Sequence, residues 1–313
     1  MTNLVIRKIP WDFEAPVPFM WQPANPDFGL FCNAFTFIAV PFERYIVSVV
    51  RKAADRLGED PAVAAEADAF LRQEAQHASA HRKHMLALVQ RYPDLERCYQ
   101  DACTAYDELV EREPVEFHAA YIANLEATFT PLFKVILDNR DSLFGGGDPR
   151  VASLMMWHFV EEIEHRSSGL MLCRHITPGP WYRVKHIRRT FAHVGSMAEK
   201  VAATFDEVVP IEDRGGSARD VLSNLLYDEF KYRAPGGRRR RARRDGPPTL
   251  FHAVPTSQLI SMVWRLWLSQ TPYHNPADQP LPDWAGTWMR EYARGTDMTS
   301  FAGARPAPPS EGA

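Results

Sequence analysis

The sequence predicts an all-α fold in which four helices of one bundle surround a shared site. Three observations lead to this prediction. Strand signals are weak along all 313 residues. Two segments, LRQEAQHASAH and WHFVEEIEH, each carry glutamate and histidine at helical spacing. Two further acids, Glu43 and Glu126, each interrupt an otherwise apolar helical stripe. The four segments therefore direct polar groups toward a common interior.

The segment 157–165 contains the densest pattern. Positions four and seven residues apart return to one helical face, so His158, Glu162 and His165 project within an arc of about 60°. Glu161 and Glu164 lie outside this arc, and we expect them to face solvent or to orient a ligand. Three metal-binding side chains thus share a direction.

The upstream segment repeats the idea. Glu74, His77 and His81 follow one another at spacings of three and four, and therefore share a face. Apolar residues continue that face: Phe70, Ala78, Met85 and Leu88. The two ExxH motifs, 74–77 and 162–165, are therefore expected to face inward.

This arrangement matches a known ligand count. Dinuclear iron and manganese sites in four-helix bundles take an ExxH from each of two helices and a lone glutamate from each of the other two. An acid in an apolar stripe is costly unless a metal or a partner neutralises it. One ExxH arises by chance in many surface helices, whereas two in this order with two lone acids are specific. The expected ligands, in chain order, are Glu43, Glu74, His77, Glu126, His158, Glu162 and His165.

Composition limits the alternatives. An apolar content of 45% suffices for a core, and a net charge of −3 argues against a general nucleic-acid binder. No secretory leader pattern opens the chain, and the apolar stretch 31–42 is short for a membrane span, so we expect a cytoplasmic protein. The four cysteines lack CxxC spacing and are expected to be reduced core thiols: Cys32, Cys98, Cys103 and Cys173.

The elements follow in order. Prolines and aromatic residues in 1–30 predict an extended arm packed over the bundle. The bundle region, 31–180, contains helices expected at about 31–56, 61–91, 115–138 and 149–175, with a charged helix ending near Glu111. Pro41 either kinks the first helix or restarts it. The long connection between the second and third bundle helices fits a single crossover.

The remainder is expected to be a helical extension, 181–297, packed on the bundle. Its helices are expected at about 182–208, 217–232 and 255–270. His186 and His193 lack ligand partners at helical spacing and are expected to be structural or exposed. Residues 298–313 are rich in proline and are expected to form a disordered tail.

Residues 31–175 resemble the ferritin-like family of predicted metal-dependent hydrolases through VPFERYI, FLRQEAQHASAHRKHM and WHFVEEIEH. The histidine four residues before Glu162 is similar to one in the di-iron arylamine N-oxygenases, where it also binds iron. This resemblance implies terminal ligands Glu43 and Glu126, bridging ligands Glu74 and Glu162, and nitrogen ligands His77, His158 and His165. It places Glu74, Glu162 and His158 nearest the chemistry. His81 either binds metal or orients a ligand.

The sequence is compatible with three classes of function. A mixed nitrogen and carboxylate set suits two iron ions, or manganese, better than zinc. The leading hypothesis is a di-iron monooxygenase that hydroxylates, or oxidises a heteroatom of, a largely apolar small molecule. Without a Rossmann or P-loop motif, its electrons would come from a ferredoxin or reductase. The alternatives are a dinuclear metal-dependent hydrolase and a non-enzymatic iron-binding protein. Oligomeric state stays open, with a homodimer among the choices.

One basic run stands apart from this pattern. Six arginines follow Gly236 and Gly237: Arg238, Arg239, Arg240, Arg241, Arg243 and Arg244. Most such runs are solvated loops. The other hypothesis is that their guanidinium groups hold the phosphates of a coenzyme A thioester or carrier-protein arm.

Overall fold

The computed structural model describes residues 4–223, 225–237 and 249–303. These residues form α-helices, short 3₁₀ turns and loops, and no strand occurs among them, which confirms the all-α prediction. The arginine run 238–244 and residues 304–313 of the expected tail lie outside the described residues.

Four helices carry the predicted site: α1 (Pro26–Lys52), α3 (Pro61–Arg91), α5 (Val115–Asp138) and α7 (Pro149–Glu164). Shorter elements connect them: α2 (Ala54–Leu57), α4 (Glu96–Arg112), α6 (Arg140–Phe144) and the 3₁₀ turn Pro93–Leu95. The later helices are α8 (Ser168–Ile176), α9 (Pro180–Val208), α10 (Ile211–Arg214), α11 (Ala218–Ser223), α12 (Leu225–Arg233), α13 (Thr256–Ser269) and α14 (Asp283–Ala293). Two further 3₁₀ turns are Pro276–Asp278 and Phe301–Gly303. Helix α1 packs against α3, α4 and α5, and α5 packs against α7 and α8.

Helix α1 begins earlier than the sequence predicts. Asn25 caps it by accepting a hydrogen bond from the Phe28 amide, and Pro26 occupies the first turn, where it costs no hydrogen bond. Pro41 lies inside the helix and does not restart it. Among the described residues α1 alone is long and apolar enough to cross a membrane, but 72% of its most apolar window is buried inside the protein. That burial is typical of a central core helix.

Helix α3 begins where its sequence signal places it. The Asp60 carboxylate accepts hydrogen bonds from the amides of Ala62 and Val63, and Pro61 fills the first turn. The helix then continues to Arg91, as predicted. A strong cap fixes the register of this helix and hence the direction of Glu74 and His77.

The prediction of a single helix over 149–175 is wrong. The chain forms α7 to Glu164, a short turn, and then α8 from Ser168. The Ser168 amide donates to the His165 carbonyl at 2.7 Å, and the Ser168 hydroxyl donates to Glu66 Oε1 at 2.7 Å. These bonds replace helical ones, which is why the chain can turn here without glycine or proline. His165 therefore lies at the end of α7, outside a continuous helical face.

The amino-terminal arm is non-helical from residue 4 to residue 25 and packs through its aromatic side chains. The Trp11 ring lies 5.5 Å from the Trp157 ring of α7, and the Phe19 ring lies 5.0 Å from that of Phe205. The buried apolar residues of the arm are Leu4, Trp11, Phe13, Val17, Phe19 and Trp21. The arm thus covers the helices that carry the site.

The end of the described chain is ordered, contrary to the disordered tail expected from residue 298. Met298 is buried, and the Ala302 amide donates to Ser153 Oγ of α7 at 2.8 Å. Met298 and Phe301 pack their apolar side chains against the core, which the proline-rich composition did not predict. All four cysteines are buried and unpaired, as predicted.

Arg183 of α9 joins the extension to the helix that carries Glu126. Its guanidinium donates to the carbonyls of Ser269 and Thr271 at the end of α13, at 3.0 and 2.7 Å. It also donates to Asn124 Oδ1 of α5 at 3.2 Å. One buried side chain therefore satisfies the last carbonyls of α13 and fixes them against α5.

Replacement of Arg183 by alanine is expected to lower the free energy of unfolding by about 2 to 3 kcal/mol, because buried carbonyls lose a charged donor. Chemical denaturation followed by circular dichroism measures the change. Arg188→Ala, at an exposed position of the same helix, is the matched control and should change stability little. Equal stability of the two variants would contradict this role for Arg183.

Candidate metal centre

The structure brings all seven predicted ligand side chains into one buried region, each at most 2% exposed. Donor atoms of six of them form two groups, and within each group all atoms lie within 4.8 Å of one another. The first group is Glu43, His77 and His158, and the second is Glu74, Glu162 and His165. Glu126 Oε2 lies 3.5 Å from His165 Nε2, so Glu126 borders the second group.

Glu162 reaches both groups. Its Oε1 lies 2.9 Å from His158 Nε2 and 3.5 Å from His77 Nδ1, whereas its Oε2 lies 3.0 Å from His165 Nε2. A carboxylate whose two oxygens face different donor groups is positioned to bridge two cations.

Glu74 spans the same gap from α3. Its Oε1 lies 3.2 Å from His165 Nε2, and its Oε2 lies 4.0 Å from His77 Nδ1. Two carboxylates, contributed by facing helices, therefore connect the two donor groups.

Most donor atoms of the site have no hydrogen-bond partner among the described residues. Both carboxylate oxygens of Glu43, Glu74 and Glu126 are unpaired, as are Nδ1 of His77 and Nδ1 of His158. A buried acceptor without a partner is destabilising, and a buried carboxylate especially so. Unpaired, converging oxygen and nitrogen donors are the set that fits a pair of metal ions.

The carboxylates respond to burial and to each other. Burial, reinforced by neighbouring carboxylates, raises the pKa of Glu43 to about 8 and that of Glu126 to about 7. Burial and Glu162 likewise raise the pKa of Glu74. For Glu162, burial also acts upward, but the charge of His165 and hydrogen bonds from three histidines hold its pKa well below the usual range.

The histidines divide into two kinds. Burial opposes the charge of His77 and His165, but the surrounding carboxylates prevail and raise both pKa values. Burial, and next the charge of His77, lower the pKa of His158 to about 4. The raised pKa values of His77, His165 and three carboxylates favour protonated forms, with which bound cations would compete.

Neighbouring groups fix which nitrogen of each ExxH histidine faces the site. His77 Nε2 donates to Glu161 Oε2 at 3.0 Å, which leaves Nδ1 directed at Glu74 and Glu162. His165 Nδ1 donates to the side-chain oxygen of Gln73 at 3.1 Å, which leaves Nε2 directed at the carboxylates. Such outer partners orient metal-binding histidines. The alternative prediction that Glu161 faces solvent is wrong, because Glu161 is fully buried. No spacing pattern in the sequence marks Gln73 as a partner of the site.

His81 lies beside the donor groups and outside both of them. Its ring centre is 4.8 Å from that of His158, and its Nδ1 lies 3.0 Å from the Thr36 hydroxyl. The same hydroxyl lies 3.1 Å from His84 Nδ1. His81 Nε2 is buried and has no hydrogen-bond partner among the described residues, so both roles of His81 stay predictions.

His186 and His193 contact aromatic side chains of α5. The Phe117 ring lies 5.0 Å from the ring of His186, and the Tyr121 hydroxyl lies 2.8 Å from His193 Nδ1. Both packing partners belong to α5, in agreement with the expected structural role.

Aromatic rings enclose the His158 side of the site. The ring of Phe35 lies 5.0 Å from that of His158, and the rings of Phe133 and Phe159 stack at 4.0 Å. Phe133 also approaches His158 at 6.3 Å. These rings form an apolar wall that keeps water away from this side of the donor set.

Gly169 of α8 permits a close approach that the sequence did not reveal. A Cβ atom at this position would lie 2.8 Å from Cγ and 3.2 Å from Cβ of Glu126. These atoms are near the backbone of α5 and cannot move away easily. The glycine therefore lets α8 pack directly behind Glu126.

Replacement of Gly169 by alanine is expected to displace Glu126 and to weaken metal binding by about tenfold, as outer changes at metal sites commonly do. Isothermal titration with manganese(II) measures the loss. Gly195→Ala is the matched control, because an added Cβ there meets no atom within 4 Å. Equal affinities in the two variants would show that Glu126 tolerates the added methyl group.

Comparisons with known proteins place the chain in a family. A family model described as predicted metal-dependent hydrolase matches residues 5–223, a span that contains every donor of both groups. No curated protein and no solved structure matches the chain. Because the match covers more than half of the sequence, the chain belongs to the predicted metal-dependent hydrolase family.

Proposed function

We propose that the protein is a dinuclear metal-dependent enzyme whose helices α1, α3, α5 and α7 form a ferritin-like four-helix bundle. The observation that carries this proposal is the position of Glu74 and Glu162, whose oxygens face both donor groups. Glu43 and Glu126 would then be terminal ligands on opposite sides of the pair. His77 and His158 would bind one ion, and His165 the other.

Within this proposal, oxygen chemistry at two iron ions is the first candidate reaction. Four carboxylates and three histidines form a donor set suited to iron or manganese. In such a site two iron ions supply oxygen activation and the power to oxidise a C–H bond or a heteroatom. The electrons for this reaction would come from a separate ferredoxin or reductase.

The residues of the chain have separate tasks in this proposal. Glu74 and Glu162 would each contribute oxygens to both ions, and Glu161 and Gln73 orient the two ExxH histidines. Phe35, Phe133 and Phe159 surround His158 with apolar rings. A largely apolar small molecule fits these surroundings better than a highly charged one.

Hydrolysis is the second candidate, and the family description favours it over oxygen chemistry. A dinuclear site can lower the pKa of a bound water and polarise an ester or phosphoryl oxygen. The same ligands would serve, and no electron donor would be needed. The two candidates differ in their need for oxygen, which makes them separable without knowledge of the substrate.

The oxygen proposal predicts that protein loaded anaerobically with ferrous iron consumes one dioxygen molecule per pair of irons on mixing with aerated buffer. An oxygen electrode and stopped-flow absorption measure uptake and rate. His158→Ala should fold normally and react at least about tenfold more slowly, because one ion loses a nitrogen ligand. Glu162→Gln is the control, because the substitution keeps the size of the side chain but replaces a carboxylate that would bridge the two ions.

The contrary result is equally specific. Oxygen uptake by the wild type no faster than that of Glu162→Gln would remove the monooxygenase proposal. If the manganese-loaded wild type then cleaves p-nitrophenyl esters or phosphodiesters under anaerobic conditions, and Glu162→Gln does not, the protein is a hydrolase.

A further inference from the structure

One arginine of the amino-terminal arm contacts Glu161, which orients His77, and Glu164, which binds the Gln73 side chain that orients His165. Arg7 is only 3% exposed, and its guanidinium lies between Glu161 and Glu164 of α7. Nη1 donates to Glu161 Oε1 at 2.9 Å and to Glu164 Oε2 at 2.8 Å. Nη2 donates to Glu164 Oε1 at 3.0 Å. The planar guanidinium thus engages two carboxylates at once, an arrangement that suits arginine better than lysine.

The first branch leads from Arg7 to His77. Because Glu161 Oε1 accepts from Arg7, the remaining oxygen, Oε2, is directed at His77 Nε2 at 3.0 Å. An ionised carboxylate can only accept, so the ring proton is held on Nε2. His77 Nδ1 is thereby left free to face Glu74 and Glu162.

The second branch leads from Arg7 to His165. Glu164 accepts from Arg7 through both oxygens and also from Gln73 Nε2 at 2.8 Å. Gln73 Nε2 donates in addition to the Val5 carbonyl of the arm at 3.0 Å. With its amino group fixed by two acceptors, Gln73 presents Oε1 to His165 Nδ1 at 3.1 Å.

The extension shields this arrangement from water. The Arg7 guanidinium carbon lies 5.6 Å from the ring centre of Trp288 and 5.5 Å from that of Tyr292, both on α14. The two rings stack on each other with a 7° angle between their planes. Charged hydrogen bonds are stronger where water is excluded, so the cover increases the hold of Arg7 on its partners.

We propose that Arg7 is a positioning residue for the metal centre, one cation that fixes the ring orientation and tautomer of both ExxH histidines through Glu161 and through Glu164 with Gln73. The proposal rests on the metal-centre proposal above. It gives the arm a task beyond packing: the site is complete only when the arm is docked.

Cobalt(II) titration of the full-length protein tests the proposal, because cobalt d–d absorption reports ligand number and geometry as well as occupancy. Arg7→Ala should weaken the binding of both ions by about 10- to 100-fold and alter the bands. Arg7→Lys should recover part of the loss, since one ammonium cannot pair fully with both carboxylates. Glu161→Gln should weaken mainly the ion held by His77.

Lys83→Met is the matched control. Lys83 donates to the Trp11 carbonyl of the arm, at 2.9 Å, and no hydrogen bond or ion pair among the described residues joins it to a proposed ligand or to Glu161, Glu164 or Gln73. The substitution removes a contact of the arm and leaves the proposed ligands in place. The cobalt affinity and spectrum of this variant should therefore equal those of the wild type.

The outcomes separate the two proposals. Cobalt affinity and bands in Arg7→Ala identical to those of Lys83→Met would overturn the role of Arg7 and leave the metal centre standing. Should Arg7→Ala fail to fold, wild-type binding by both Arg7→Lys and Glu161→Gln would overturn it equally. Absence of cobalt binding to the wild type itself would instead refute the metal centre, and the role of Arg7 with it.

Discussion

The structure depends on one electrostatic constraint: four glutamates converge in a buried core, and both carboxylate oxygens of three of them have no hydrogen-bond partner among the described residues. Burial of several carboxylates is strongly unfavourable unless cations or protons compensate them. Burial raises the pKa values of Glu43, Glu74 and Glu126, and the carboxylates raise those of His77 and His165 despite burial, so these groups favour their protonated forms more than they would in water. Helix packing, caps and the covering arm keep these groups together despite the cost.

Much of the site could be predicted from sequence because its ligands repeat at helical spacing. Glu74 and His77, or His158 and Glu162, lie on one helical face by geometry alone. The lone acids Glu43 and Glu126 were recognisable because each interrupts an apolar stripe. Residue spacing and helical structure can be predicted from local sequence, and the structure brings these side chains together, while their role as ligands stays a prediction.

The unpredicted features arise from contacts between distant segments. Arg7 lies more than 150 residues from Glu161 in sequence, and nothing in its neighbourhood marks it as a partner of the site. Gly169 matters only because α8 returns against Glu126, after a turn that Ser168 and Glu66 stabilise. The ordered segment near Met298 likewise depends on a surface offered by α7. Tertiary packing, which composition does not encode locally, decided each of these.

The enclosure of the centre bears on its chemistry. The arm, the extension and the rings around His158 surround the donors with apolar surface, a setting that would suit a reaction from which water is excluded. A hydrolase must instead admit water to the metals, and the family description makes that candidate a real one. Both reactions require two ions that share Glu74 and Glu162, and this shared pair is the central claim. Mössbauer spectroscopy of protein loaded with iron and then oxidised tests it most directly. Two ferric ions per chain in one spin-coupled pair are the predicted result, whereas a single iron per chain, or two ferric ions without coupling, would contradict it.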